Sequence, residues 1–202
     1  MTRMHIENPE GILPFHEVFY IINLQYNLES AWHSVVWIEN FLSKTEMRNS
    51  RDAAIVNEAL NQIQNVVCQA ASTSYYFWPS KVKAIHQSRA NRLRTAFGVT
   101  EDSVLKNRDL RNIFEHYDER LDVFLRTTYA GTFIAGYVGV EAPPDARATH
   151  RFMRAYFYDT GIFEALGQRF ELQPIVDELG RLHELLQSCH PGMRLPHLIP
   201  PK

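Results

Sequence analysis

The sequence has few cysteines and lacks the patterns by which most metal and nucleotide sites are recognised. Cys68 and Cys189 are its two cysteines, and neither belongs to a CxxC pair, which argues against a disulfide framework or a cysteine-based metal site. No GxxxxGK[ST], GxGxxG, HExxH or Glu-x-x-His pattern occurs, so the usual phosphate loops and helical metal sites have no candidate. We therefore predict neither a bound metal nor a cofactor.

The chain also lacks a long hydrophobic run. No stretch approaches the roughly 18 uninterrupted apolar residues of a membrane span, and the N-terminal residues show no basic segment followed by an apolar one, which argues against a signal peptide. A hydrophobic fraction of 45% over 202 residues fits one folded domain. We expect a cytoplasmic protein without a membrane partner.

Positive and negative charges nearly balance over the whole chain, but one segment is basic. The formal net charge of -2 predicts no general affinity for nucleic acid. Residues 81–111, however, hold eight Lys and Arg residues against three Asp and Glu residues. This segment is either a solvated helical hairpin or a surface that holds an RNA backbone. The candidate RNA-binding residues are Lys81, Lys83, Arg89, Arg92 and Arg108.

Hydrophobic periodicity predicts a mainly α protein. Apolar residues return at intervals of three and four from Phe15 through Phe19 and Ile22 and onward, which indicates a long helix with these residues on its buried side. Long helices are predicted at residues 15–42, 51–76, 81–97 and 100–126. Residues 131–140 are rich in β-branched and aromatic residues and are predicted to form a strand. Residues 141–148 are predicted to form a loop, and residues 150–173 a hairpin that turns at Asp159, Thr160 and Gly161.

The predicted architecture follows from this order of elements. We expect a single domain over residues 1–202: an antiparallel bundle of four to five helices with its core in residues 15–127, a small antiparallel β appendage at 130–173, and a C-terminal helix at 174–190. The aromatic run at residues 75–78 either stacks on nucleic-acid bases or closes the end of the bundle, and we expect packing.

One predicted helix carries an unusual density of charge. The stretch "NRDLRNIFEHYDERLDVFL", residues 107–125, places seven apolar residues within an arc of roughly 120°. These residues are Leu110, Ile113, Phe114, Tyr117, Leu121, Phe124 and Leu125. Its charged side is either an ordinary solvated face, with Arg111 and Glu115 as an i,i+4 surface pair, or a catalytic surface.

The segment "RNIFEH", residues 111–116, resembles the Arg-polar-x(3–5)-His signature of the HEPN superfamily, and the similarity extends over residues 15–126. This resemblance implies a compact helical bundle and a metal-independent endoribonuclease. It further implies a homodimer whose two motifs line one cleft. The same resemblance implies a role in a toxin–antitoxin or phage-defence system, with an antitoxin or regulatory protein as partner.

The motif residues suit cleavage of RNA by its own 2′-hydroxyl group. His116 can serve as base or acid because histidine titrates near neutrality. Arg111 offers a permanent forked charge for phosphate oxygens. Asn112 can orient His116, and Glu115 can tune either group. The catalytic candidates are therefore Arg111, Asn112, Glu115 and His116.

The spacing of the motif raises a geometric difficulty. Residues 111 and 116 lie about 140° apart around a regular helix and do not face the same way. Three arrangements would bring the two side chains together: the Arg111 side chain curls back, the start of the helix is distorted, or the two groups meet across the two-fold axis of a dimer. A non-catalytic bundle that binds a protein partner or a nucleotide is the alternative. An exposed His116 in a positive groove favours the enzyme, and a His116 buried or paired away from Arg111 favours the alternative.

Overall fold

A computed structural model describes residues 11–48, 50–81, 83–127, 130–143, 150–189 and 192–196. The protein is mainly helical, with a small sheet region. The helices of the described part are α1 (Glu17–Ser43), α2 (Thr45–Arg48), α3 (Ala53–Phe77), α4 (Ala84–Phe97), α5 (Arg108–Asn112), α6 (Tyr117–Thr127) and α7 (Leu172–Cys189). Short 3₁₀ turns lie at Pro14–His16 and Val104–Lys106. None of these described helices is long and apolar enough to cross a membrane.

Helix α3 is the centre of the fold. It packs against α1, α4, α5 and α7, and it also contacts strands of the sheet region. Val66 on α3 and Leu93 on α4 are fully buried, and they belong to the same apolar cluster as Phe163 of the sheet region. The helices and the sheet region therefore share one hydrophobic core, which burial of apolar surface holds together.

Helix α1 is apolar on two opposite sides. Its inner side buries residues such as Ile21 and Leu28, as the periodicity predicts. The assignment of Phe15, Phe19 and Ile22 to the buried side is wrong, because these residues are 64%, 61% and 49% exposed. Apolar residues surround this helix on more sides than its neighbours can cover, so periodicity alone did not identify the inner one.

The single helix predicted over residues 100–126 is divided in the structure. A 3₁₀ turn starts after Ser103, whose Oγ accepts a hydrogen bond from the Leu105 N–H. Helix α5 starts after Asn107, whose Oδ1 accepts bonds from the N–H groups of Asp109 and Leu110. Both polar side chains satisfy backbone donors at new helix starts, which is why the predicted start at residue 100 does not hold. Residues 113–116 then form a turn between α5 and α6.

The sheet region is mixed, not purely antiparallel as predicted. Its strands are β1 (Thr132–Ile134), β2 (Tyr137–Gly139), β3 (His150–Phe152), β4 (Arg154–Phe157), β5 (Ile162–Ala165) and β6 (Gln168–Glu171). Strands β4, β5 and β6 pair antiparallel in sequence order, whereas β1 pairs with β3, and β2 with β4, in parallel. Parallel pairing requires a crossover connection, and the predicted loop between β2 and β3 lies partly outside the described residues.

Two hairpin turns join β4, β5 and β6. The first lies at Asp159–Gly161, where the sequence predicts it. The second was not predicted and places Leu166 and Gly167 at φ values of 49° and 80°. Two consecutive positive φ values match the twist of a tight β-hairpin, and a leucine in this region carries a steric cost of roughly 1–2 kcal/mol.

Helix α7 follows β6 directly and starts two residues before the predicted position. The predicted end at His190 lies outside the described residues.

Candidate functional site

His116 lies at the mouth of a cavity of about 460 Å³, between the end of α5 and the start of α6. Its imidazole is 57% exposed. Asn112, the last residue of α5, lines the same cavity, as do Val123 and Phe124 of α6. The turn at residues 113–116 therefore brings together two of the four predicted catalytic residues and leaves the imidazole open to a ligand.

Charges of both signs surround His116. Arg120, one turn further along α6, lines the cavity and donates its backbone N–H to the His116 carbonyl oxygen at 3.1 Å. Glu119 lines the cavity too, and its Oε2 lies 4.0 Å from His116 Nδ1. The arginine favours a bound anion. Sequence analysis did not single out Arg120 as a site residue, although its spacing of four from His116 marks it as a neighbour on a helix.

The sheet region contributes to this cavity. The β5–β6 hairpin places Leu166 and Gln168 in its wall, more than fifty residues along the chain from Asn112. The Oε1 atom of Gln168 is buried and has no hydrogen-bond partner among the described residues. An unpaired buried acceptor has lost its water without replacement, which costs stability. No local sequence pattern marks these two residues.

Arg111 faces a different cavity from His116. It lines a cavity of about 220 Å³ together with Cys68, Tyr75 and Glu115. Its Nη1 donates a 2.8 Å hydrogen bond to the Trp78 carbonyl oxygen, and its guanidinium carbon lies 5.6 Å from the centre of the Tyr75 ring. The described chain thus holds Arg111 against the end of α3, away from His116.

Glu115 belongs to the Arg111 side as well. The Tyr75 hydroxyl donates a 2.7 Å hydrogen bond to Glu115 Oε2. Burial raises the pKa of Tyr75 to about 12, and the hydrogen bond to the Glu115 carboxylate acts in the same direction because both favour the neutral phenol. Of the predicted catalytic residues, the structure therefore brings Asn112 and His116 together on one side of the turn, and Arg111 and Glu115 on the other.

The predicted RNA-binding residues are also divided. Lys81 and Arg89 line one cavity at the connection of α3 and α4. Lys83 and Arg108 are exposed at the starts of α4 and α5. Arg92 lies 3.6 Å from the buried carboxylate of Glu17. Arg92 therefore joins α4 to α1, and it is less available to a ligand than the other four.

The aromatic run at the end of α3 packs only in part, because Tyr75 and Tyr76 are half-buried and Tyr75 lines two of the cavities. Phe77 is fully buried, and Trp78 is 9% exposed. In the described part of the chain, no three side chains of His, Cys, Asp or Glu come close enough together to hold a metal ion. No family model, curated protein or solved structure matches this chain.

Proposed function

We propose that the protein is a metal-independent endoribonuclease of the HEPN type, and that His116 carries the proton transfers. The observation that supports this best is the position of the His116 imidazole, which is more than half exposed at the mouth of a cavity that also presents Asn112 and Arg120. A general acid or base must reach its substrate, and an imidazole that is 57% exposed can do so.

The proposed reaction is cleavage by the RNA itself. The 2′-oxygen attacks the neighbouring phosphorus as its proton is removed, and the 5′-oxygen leaves as it gains a proton, so that a 2′,3′-cyclic phosphate and a 5′-hydroxyl remain. His116 serves one of these two transfers. Arg120 supplies positive charge to the phosphate from the same cavity, a role that the sequence alone had given to Arg111.

A homodimer would complete the site. One His116 cannot be base and acid in the same step, so a second copy brings the other group. Helix α6 supports this arrangement because it buries no residue, and its Val123 is 60% exposed beside the cavity. An isologous contact between two α6 helices would place two His116 cavities side by side. In the proposed protein, the helices that pack against α3 form the antiparallel bundle of this superfamily. RNA is its substrate, and an antitoxin or regulatory protein is its partner. A toxin or phage-defence role in the cytoplasm goes with this proposal.

A second candidate function has its own observation. Arg111 and Glu115 are both engaged in contacts that join the turn to α3, through the Trp78 carbonyl oxygen and the Tyr75 hydroxyl. Two motif residues in structural contacts, and a His116 that lies near Glu119 and away from Arg111, are what a non-catalytic helical bundle would show. Such a protein would bind a protein partner or a nucleotide and leave RNA intact.

Cleavage of a mixed RNA by the purified protein in excess EDTA separates the two candidates. We expect cyclic-phosphate ends from the natural chain, and a loss of at least about a hundredfold in rate for His116→Ala. His183→Ala, which removes a histidine stacked on Trp32 of α1, is the matched control and should cleave at the natural rate. Equal cleavage by the His116→Ala and natural chains would assign the activity to another group or to a contaminant. Intact RNA with every chain would favour the binding protein.

A further inference from the structure

A third cavity lies at the connection of α3 and α4, and it shares Tyr75 with the cavity that Arg111 lines. Its volume is about 240 Å³. At roughly 30 Å³ per water molecule this is space for about eight waters, comparable to a phosphate group with part of its sugar. The lining residues are Tyr75, Pro79, Ser80, Lys81, His86 and Arg89.

The lining of this cavity is basic. Lys81 and Arg89 carry full positive charges, His86 adds a ring that can donate a hydrogen bond, and no Asp or Glu is among the six residues that line it. Ser80 and the connecting backbone add further polar groups. A concave surface with cations and without a carboxylate concentrates anions and is poorly suited to metal ions or cationic peptides.

The start of α4 makes an anion more favourable there. Lys83 is the N-cap residue and makes no capping hydrogen bond through its side chain, and the first turn contains no acidic residue. The N-terminal end of a helix carries partial positive charge, so Lys81 and Lys83 beside it raise the electrostatic energy of the empty site. A bound anion would offset this repulsion from several groups at once.

Arg89 is already held in position for such a ligand. Its Nη2 donates a 3.1 Å hydrogen bond to the Tyr75 carbonyl oxygen, and its guanidinium carbon lies 5.9 Å from the centre of the Tyr76 ring. An arginine that is fixed by its neighbours loses little entropy when it binds an oxyanion.

We propose that this cavity is a phosphate-binding subsite, in which Lys81, His86 and Arg89 hold a phosphate group of an RNA strand. The phosphate follows from the cavity itself, and RNA as its source rests on the proposed function. Tyr75 connects the subsite to the motif, because its ring lies against Arg111 and its hydroxyl bonds to Glu115. A phosphate held here would place the strand along the Arg111 side of the turn, and the strand would then have to pass around the turn to reach His116 on its other side.

The test is direct binding to a chain that carries His116→Ala, so that no probe is cut. The probes are inorganic phosphate, a diribonucleotide with a 5′-phosphate, and the same diribonucleotide without it. Binding is followed by calorimetry and by the amide chemical shifts of Ser80, Lys81 and Arg89 at one fixed ionic strength. We expect the phosphorylated diribonucleotide to bind most tightly and to shift these amides.

Substitutions locate the binding. Lys81→Gln and Arg89→Gln should each weaken the phosphorylated probe about tenfold. Lys81 is exposed, so its substitution leaves the fold intact even if Arg89→Gln, which removes the bond to the Tyr75 carbonyl oxygen, destabilises it. Lys44→Gln is the control, because it removes the same charge from the exposed end of α1.

Three results would overturn the proposal in different ways. Failure of every probe to bind at millimolar concentration, while RNA is still cleaved by the natural chain, would mean that the strand is held elsewhere and would leave the proposed ribonuclease standing. Equal weakening by Lys44→Gln and Lys81→Gln would show unspecific attraction to positive charge. If inorganic phosphate binds and neither diribonucleotide does, the ligand of this cavity is a small phosphate compound and not RNA.

Discussion

Arg111 donates a 2.8 Å hydrogen bond to the backbone carbonyl oxygen of Trp78, thirty-three residues earlier in the chain. The bond ties the end of α5 to the last turn of α3, and the Tyr75 ring lies under the same guanidinium at 5.6 Å. The motif arginine is therefore part of what holds the turn in place, whatever else it does. His116, five residues later, faces the other side of that turn.

Removal of this arginine should destabilise the protein. Arg111→Ala takes a charged donor from the Trp78 carbonyl oxygen and a cation from the Tyr75 ring, and we expect a loss of about 1–3 kcal/mol in the free energy of unfolding. Urea denaturation measures it. Arg108→Ala, an exposed arginine in the same helix, should change stability by less than about 0.5 kcal/mol. Equal stability of the Arg111→Ala and natural chains would leave Arg111 free for a purely catalytic role.

The ionisation of Tyr75 should appear as a loss of stability at alkaline pH. Its pKa in the folded protein is about 12, against an ordinary value of 10.0. The folded state favours the neutral phenol, so this contribution is complete below pH 10 and is lost as the pH rises towards 12. The difference in unfolding free energy between the natural chain and Tyr75→Phe should therefore shrink over that range. Urea midpoints of the two chains from pH 9 to 12 provide the measurement, and a constant difference would contradict the raised pKa.

Glu17 is a buried carboxylate at the start of α1. It is 3% exposed, lies 3.6 Å from Arg92 and 3.7 Å from Arg194, and accepts the Leu195 N–H at 3.2 Å. Glu17→Gln keeps the volume and removes the charge, and we expect a loss of about 1–3 kcal/mol in thermal or urea unfolding. Glu29→Gln, on the exposed side of the same helix, is the control and should fall within about 0.5 kcal/mol of the natural chain. A similar small effect at Glu17 would mean that Arg92 and Arg194 are held by other contacts.

Two exposed apolar residues allow the interface of the proposed dimer to be located by substitution. Val123 on α6 and Phe19 on α1 are 60% and 61% exposed. If the homodimer shares the His116 cavities, Val123→Glu should raise the dimer dissociation constant at least about a hundredfold and reduce RNA cleavage in parallel, because a charge in a buried interface is costly. Phe19→Glu should leave both unchanged. Light scattering coupled to size-exclusion chromatography measures the assembly. The opposite result would place the interface on α1 and exclude the shared-cavity form of the site.

Residues close in sequence were easier to predict than those brought together by folding. The bounds of α1, α3 and α4 follow from apolar periodicity, and the turn at Asp159–Gly161 follows from its residue types. The helix over residues 100–126 was predicted whole because its apolar stripe is continuous. The side chains of Ser103 and Asn107 start new turns within it, and local caps of this kind compete with periodicity at little cost.

The candidate site shows the same limit more sharply. His116 and Asn112 are named by a six-residue pattern, and both do line one cavity. The position of Arg111 depends on a carbonyl group in α3, and the far wall of the cavity depends on Gln168 in the β5–β6 hairpin. No repeating sequence pattern predicts either contact, because each is set by the packing of elements that are distant along the chain.

The absence of any buried residue from α6, in a part of the structure that is fully described, has a consequence for motion. Elements with little buried apolar surface open at a small fraction of the global unfolding free energy, so the amide hydrogens of α6 should exchange with solvent much sooner than those of α3. Such an opening would release Arg120 and Val123 while Arg111 stays fixed to α3. His116 lies where α6, which opens readily, joins α5, which is fixed to α3. The equilibrium between the closed and the locally opened α6 therefore determines how long the cavity keeps its shape.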